Sequence, residues 1–100
     1  MLEKDIERKL VAGVKRTGGK AYKFVSPGNT GVPDRIVIWP DGTVHFVELK
    51  TVVGRLSRAQ RIQGNRLLFL RQKVYVLKGN KGVTEYLAKE GPQHGIEDAQ

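Results

Sequence analysis

Residues 33–50 read Pro33-Asp34-Arg35-Ile36-Val37-Ile38-Trp39-Pro40-Asp41-Gly42-Thr43-Val44-His45-Phe46-Val47-Glu48-Leu49-Lys50. Two runs rich in β-branched and aromatic residues flank Pro40-Asp41-Gly42, which is hairpin-turn chemistry. Pro fits the first central position of a type I turn, Asp the second, and Gly supplies the left-handed residue that follows. A three-residue loop sets Trp39 opposite Thr43. Counting outward pairs Ile38 with Val44, Ile36 with Phe46, and Asp34 with Glu48. Cross-strand partners share a sheet face, so Ile36, Ile38, Val44 and Phe46 form an apolar patch with two carboxylates at its end. Lys50, two residues past Glu48, projects from the same face.

Like charges directly opposed, with Cβ atoms about 4.5–5.5 Å apart, repel and weaken a sheet. A bound divalent cation is the economical compensation, and hard oxygen ligands suit Mg²⁺ or Mn²⁺. A lysine beside the metal orients water or neutralises charge developing on a phosphate. The plain alternative is that Arg35 and Lys50 salt-bridge Asp34 and Glu48 at a strand end. A one-residue change in the turn would also send the two carboxylates to opposite faces.

Outward from the hairpin, Leu2, Ile6, Leu10 and Val14 recur every four residues and predict a first helix, ended by Gly18-Gly19. Ala21 to Val25 reads as a short strand, and Ser26 to Pro33 as a loop. After a linker from Thr51 to Leu56, Ser57 opens a second helix reaching about Arg71. Lys73 to Lys78 is a fourth strand, and a short helix is expected over Val83 to Lys89. The order α-β-β-β-α-β with a closing helix predicts an α/β fold, a mixed sheet flanked by helices. Residues 1–90 form the expected domain, and 91–100 a frayed or disordered tail.

At 100 residues the chain holds one modest core. Residues 1–89 carry 18 basic and 7 acidic side chains, a net charge of +11 that favours a polyanionic partner. The absence of cysteine excludes disulfides, thiolate zinc sites and thiol nucleophiles, and fits a reducing cytosol. No apolar run approaches a membrane span, and the charged start does not resemble a signal peptide. A cytoplasmic protein is expected, with no membrane partner and no small-molecule cofactor.

Further residues bear on the carboxylate pair. Glu3 falls inside the apolar stripe of the first helix, where an ionised side chain wants a partner, although an acid in the first turn also complements the helix dipole. Ser57-Arg58-Ala59-Gln60 matches a capping box. Gln60 is therefore both a cap residue and a candidate to hold water or a phosphate oxygen at the mouth of the site. Gln63 is expected on the core side with Ala59, Ile62 and Leu70, while Leu68, off that stripe, is a candidate interface residue. Arginines 55, 58, 61, 66 and 71 load the linker and second helix, and guanidinium forks suit phosphate. Arg35, Arg55, Arg58, Lys23 and Ser26 are the candidate DNA contacts. Two GxxG spacings, Gly28 to Gly31 and Gly79 to Gly82, resemble KH loops but arise readily among 12 glycines. His45 and His94 show no metal-ligand spacing.

Gly31-Val32-Pro33-Asp34-Arg35, then Val47-Glu48-Leu49-Lys50, then Ser57-x-x-Gln60, resembles the VRR-NUC family of the PD-(D/E)XK nuclease superfamily over roughly residues 1–80. The resemblance implies a restriction-endonuclease-like core and a Mg²⁺- or Mn²⁺-dependent phosphodiesterase. Asp34 and Glu48 would ligate the metal, with Leu49 adding its backbone carbonyl. Lys50 would position the attacking water, and Glu3 and Gln60 match the remaining polar site positions, Glu3 as a direct or water-mediated ligand. Stand-alone members look like homodimeric Holliday-junction resolvases, often phage-encoded. The implied function is a structure-specific endodeoxyribonuclease acting on branched DNA as a homodimer. The rival readings are a non-catalytic basic nucleic-acid-binding module, which leaves three acids near phosphate unexplained, and a nuclease of this fold acting on flaps or duplex.

Overall fold

The computed structural model of the chain describes residues 2–96. In chain order it comprises α1 (Glu3–Arg16), β1 (Lys20–Lys23), β2 (Arg35–Ile38), β3 (Val44–Lys50), α2 (Arg58–Phe69), β4 (Lys73–Lys78) and α3 (Gly79–His94). The strands form one sheet in the order β1-β2-β3-β4, antiparallel except for the parallel β3–β4 pair. Parallel neighbours need a crossover, and α2 supplies it. The expected mixed sheet flanked by helices is present. Among the described residues no helix is long and apolar enough to cross a membrane.

The hairpin has the expected register, with Ile38 opposite Val44 and Ile36 opposite Phe46. Its turn is closed by Gly42 N–H to the Trp39 carbonyl at 2.9 Å and by Trp39 N–H to the Thr43 carbonyl at 2.9 Å. Asp41 Oδ1 accepts from Thr43 N–H at 2.9 Å, and Gly42 takes φ +88°. The side chain of Asp41 and the missing Cβ of Gly42 thus do the work expected of them.

The principal core lies on the other face from the expected apolar patch. Val37, Val47, Leu49 and Trp39 point toward α1 and α3, where they meet Ile6, Leu10, Val14, Val83 and Tyr86. Ile36, Val44 and Phe46 are only half-buried, and Ile38 is exposed. Both faces of the hairpin are apolar, so alternation alone does not say which is covered. Two helices cover one face, and α2 covers part of the other near β4. α1 and α3 approach closely at Gly13, where an added Cβ would collide with Leu87 Cδ1.

The buried face also holds polar side chains. His45 and Glu90 are buried beside Trp39, Tyr75 and Tyr86. Burial pushes the His45 imidazole below its usual pKa, and the Glu90 charge opposes that shift.

Four expectations are corrected. The closing helix, expected over Val83 to Lys89, spans Gly79–His94. Gly91 to His94, expected in the tail, form its last turn with Gly91 buried, and Ile96 N–H donates to the Thr17 carbonyl at 2.8 Å. The tail expectation for 97–100 lies outside the described residues. Glu3, expected within a buried stripe, is the first residue of α1 and is exposed, and burial along the stripe begins one turn later at Ile6. On α2, Ile62 and Leu70 are exposed, and the half-buried residues are Ala59, Gln60, Gln63, Gly64 and Leu67. Every residue of α2 is at least partly exposed.

Gly13→Val is expected to lower stability by about 1–3 kcal/mol through overpacking at the α1–α3 contact. The readout is a lower urea midpoint at unchanged slope. Combining it with Leu87→Ala should recover part of that specific loss.

Candidate active site

Asp34, Glu48, Lys50 and Gln60 are brought together at one end of the hairpin. One step beyond the Arg35–Val47 pair, the same register sets Asp34 across from Glu48. The Phe24 N–H donates to the Asp34 carbonyl at 2.9 Å and holds that backbone against the chain leaving β1. Glu48 is buried in β3 at 4% exposure, on the face that α2 covers. Its Oε2 accepts from Gln60 Nε2 at 2.9 Å and stands 3.6 Å from Lys50 Nζ.

Gln60 is oriented by a complete capping box. Its Oε1 accepts from the Ser57 N–H at 2.8 Å, and Ser57 Oγ accepts from the Gln60 N–H at 3.1 Å. The amide therefore uses its oxygen on the helix start and its nitrogen on Glu48. Gly31 sets where that helix begins. At φ +94° a Cβ on Gly31 would stand 2.5 Å from the Ala59 carbonyl carbon and 2.7 Å from the Gln60 nitrogen. Only glycine lets the loop pass so close to the first turn of α2.

The backbone opposite Asp34 is arranged as carefully. Asp34 Oδ2 accepts from the Leu49 N–H at 2.8 Å. In this register the residue facing Leu49 is Pro33. In an antiparallel hydrogen-bonded pair each residue offers one N–H and one carbonyl to the other. Pro33 has no N–H, so the Leu49 carbonyl, on the same edge as its N–H, lacks its ladder donor from β2.

Other candidates fall elsewhere. Arg35 points to the α1 side: its Nε donates to Glu7 Oε2 at 2.7 Å and its Nη1 to the Ala21 carbonyl at 3.1 Å. That engagement, rather than the expected DNA contact, explains its place in the sequence, and Glu7 rather than Glu3 is the α1 acid that meets the sheet. Arg55, Arg58 and Lys23 are exposed. Ser26 Oγ accepts from Asn29 Nδ2 at 2.9 Å within its own turn. A cleft of about 280 Å³ between α2 and the sheet reaches Glu48 and Gln60 and is also lined by Arg61, Asn65 and Leu68. Asn65 was not anticipated, although it lies one to two turns along α2 from Gln60.

Over 75 residues the chain is 47% identical to "Putative nuclease p44" of Acyrthosiphon pisum secondary endosymbiont phage 1, covering 75% of this chain and 81% of the relative. A solved structure named "VRR_NUC domain" superposes with a TM-score of 0.81 at 25% identity, over 87% of this chain and 95% of that one. The chain belongs to the VRR-NUC family. A second structure, "VRR_NUC domain protein", shares the fold with a TM-score of 0.69 at 17% identity, over 97% of this chain and 93% of that one. No protein-family model matches the sequence.

Within this VRR-NUC site the electrostatics favour a cation. The Glu48 carboxyl is pushed up to about 7, first by burial and then by the negative charge of Asp34, with Lys50 opposing. Two neighbouring carboxylates and a backbone carbonyl without its ladder donor make an all-oxygen donor set, the chemistry of a hard divalent ion.

Glu48 has a folded pKa of about 7 against an ordinary 4.5. The folded state thus keeps a proton that the unfolded chain releases, and stability falls as pH rises between those values. In metal-free buffer, Glu48→Gln is expected to gain stability over wild type progressively through that window and level off above it. Melting temperatures in EDTA across pH 4–8 check this, and parallel curves for the two proteins would refute the cause.

Proposed function

We propose that this VRR-NUC chain is a Mg²⁺- or Mn²⁺-dependent endodeoxyribonuclease that acts as a homodimer on branched DNA, four-way (Holliday) junctions above all. The observation that carries the reading is the buried Glu48 set across from Asp34, with Lys50 and Gln60 on its carboxylate. Asp34, Glu48 and the Leu49 carbonyl would hold the ion. When bound, it would polarise the scissile phosphate and lower the pKa of water beside it.

The chain's own groups do the rest. Gln60 holds Glu48 in one rotamer, and the Leu49 N–H holds Asp34. Lys50 Nζ, 3.6 Å from Glu48 Oε2, is placed to orient the attacking water and to neutralise charge on the phosphate oxygens. In-line attack forms one bond to phosphorus and breaks the bond to the 3′ oxygen, leaving a 3′-hydroxyl and a 5′-phosphate. Glu3, exposed at the start of α1, is the remaining acid assigned to the site, acting directly or through water. Arg55 and Arg58, exposed on the approach to α2, contact the DNA backbone, with Lys23 and Ser26 from the β1 side.

The dimer rests on α2. Leu68, Phe69 and Leu70 are exposed at 54%, 85% and 58%, an apolar end on a helix otherwise rich in arginine. A second copy covering that end would give a junction two sites, as symmetric cutting of two strands requires. The phage relative supports a bacterial or phage-infected cytoplasm as the place of action.

Junction, flap and duplex DNA incubated with Mg²⁺ test the reading. Cutting is expected to need metal, to favour the junction, and to fall at least ~10²-fold in Asp34→Ala, Glu48→Ala and Lys50→Ala. Binding that survives EDTA without cutting of any substrate would favour a non-catalytic nucleic-acid-binding module, and preference for flaps or duplex would move the substrate assignment. Sedimentation tests the dimer separately. Phe69→Glu should shift wild-type dimers toward monomers, and a monomeric wild type with junction cutting intact would contradict the assembly.

A further inference from the structure

On the sheet face opposite Glu48, three donor atoms from distant parts of the chain converge. His45 Nε2 of β3 lies 3.7 Å from Glu90 Oε1. His94 Nε2, one helical turn past Glu90 on α3, lies 3.6 Å from the same oxygen. One ligand atom from each of the three residues lies within 4.8 Å of the other two. The His45 and Glu90 side chains are nine-tenths buried or more, and His94 forms the partly open rim. These separations are too long for ordinary hydrogen bonds. They approach the spacing of about 3.3 Å between ligand atoms that each sit about 2.0–2.1 Å from one tetrahedral ion.

We propose that His45 Nε2, the Glu90 carboxylate and His94 Nε2 bind a zinc-class divalent cation that clips the last turn of α3 to β3. Two imidazoles and one carboxylate form a borderline donor set that suits Zn²⁺ better than Mg²⁺. This ion is therefore distinct from the one assigned to Asp34 and Glu48, and the inference does not rest on the nuclease reading.

The neighbours of the cluster support a cation. His94 Nδ1 lies 2.6 Å from Asp41 Oδ2 and 3.2 Å from Thr43 Oγ1. An Nδ1–H donated to that carboxylate leaves the lone pair on Nε2, aimed at Glu90. The Tyr75 hydroxyl donates to that Glu90 oxygen at 3.5 Å, but the lone pair on His94 Nε2 still meets an acceptor, a contact that a cation between them would relieve. The carboxylate–histidine pairing is also the outer support that orients metal-bound imidazoles. A proton shared by His94 and Glu90 is the competing occupant, and the experiment separates the two.

His45 ligation makes a second, spectroscopic demand. Trp39 Nε1–H donates to His45 Nδ1 at 3.2 Å, and the Tyr86 hydroxyl lies 2.7 Å from the same nitrogen. Ligation through Nε2 puts the ring proton on Nδ1. The Tyr86 oxygen then accepts it, and the Trp39 N–H loses its Nδ1 acceptor. Trp39 is the chain's single tryptophan, so its fluorescence reports the change.

The test titrates chelator-stripped full chain with Zn²⁺, following Trp39 fluorescence, and with Co²⁺, following visible absorption. One equivalent is expected to bind, with the intense bands of a four-coordinate cobalt site and a higher melting temperature. The signal should persist in the Asp34→Asn/Glu48→Gln double variant and be lost in His94→Ala and in Glu90→Gln. Asp41→Asn, an exposed change that leaves the core intact, should weaken affinity about 10- to 100-fold. No saturable change at micromolar Zn²⁺, with folding confirmed by circular dichroism, would overturn the proposal and leave the shared proton. So would binding that survives His94→Ala or disappears in the Asp34/Glu48 double variant.

Discussion

The repulsion between Asp34 and Glu48 is the constraint around which this end of the molecule is organised. Nothing in a hairpin favours two facing anions, so each is restrained by a donor from a different source. Leu49 offers its backbone N–H to Asp34, and α2 offers the Gln60 amide to Glu48. The second restraint depends on where α2 begins, and that in turn depends on Gly31 lying against Ala59. A chain of local requirements thus runs from a left-handed glycine through a helix cap to one carboxylate rotamer. These hydrogen bonds fix both carboxylates in place before anything binds between them.

One strand serves two chemistries because side chains alternate across it. Along β3, His45, Val47 and Leu49 enter the closely packed side under α1 and α3, while Phe46, Glu48 and Lys50 share the other face, where Glu48 lines the cleft beneath α2. The packed side anchors the strand, and the cleft side exposes its chemistry. Pro33 belongs to the same economy of backbone groups. By lacking an N–H it leaves the Leu49 carbonyl uncommitted beside Asp34 and Glu48.

The hairpin register was legible in the sequence because Pro40-Asp41-Gly42 allows few turn geometries, and register fixes which side chains face each other. The helix cap was legible too, since Ser57 and Gln60 act locally. What escaped depends on contacts distant in sequence. The fate of Arg35 is decided by Glu7 on another element. Glu3 shares the angular phase of the buried residues but stands at the very start of α1, one turn before burial begins at Ile6. Gly79 and Gly82, whose spacing resembles a KH loop, and Pro92, within the expected tail, all lie in α3, whose packing against α1 and β4 overrides their weak propensity. That misreading hid the Glu90-x-x-x-His94 spacing, the one local sign that His45 has distant company.

The uneven attachment of α2 has a consequence for how the molecule breathes. Its first turn is pinned by the Ser57 cap, by Gly31 and by the Gln60–Glu48 bond, whereas its last turn ends in side chains left largely in water. In an isolated copy, with no partner over that end, amide protons near Phe69 should therefore exchange with solvent well before those near Arg61, as fraying proceeds from the loosely held end. Thermal opening of the helix then stops short of the carboxylates, so the layer most easily loosened in this fold can be disturbed while its acidic centre stays assembled.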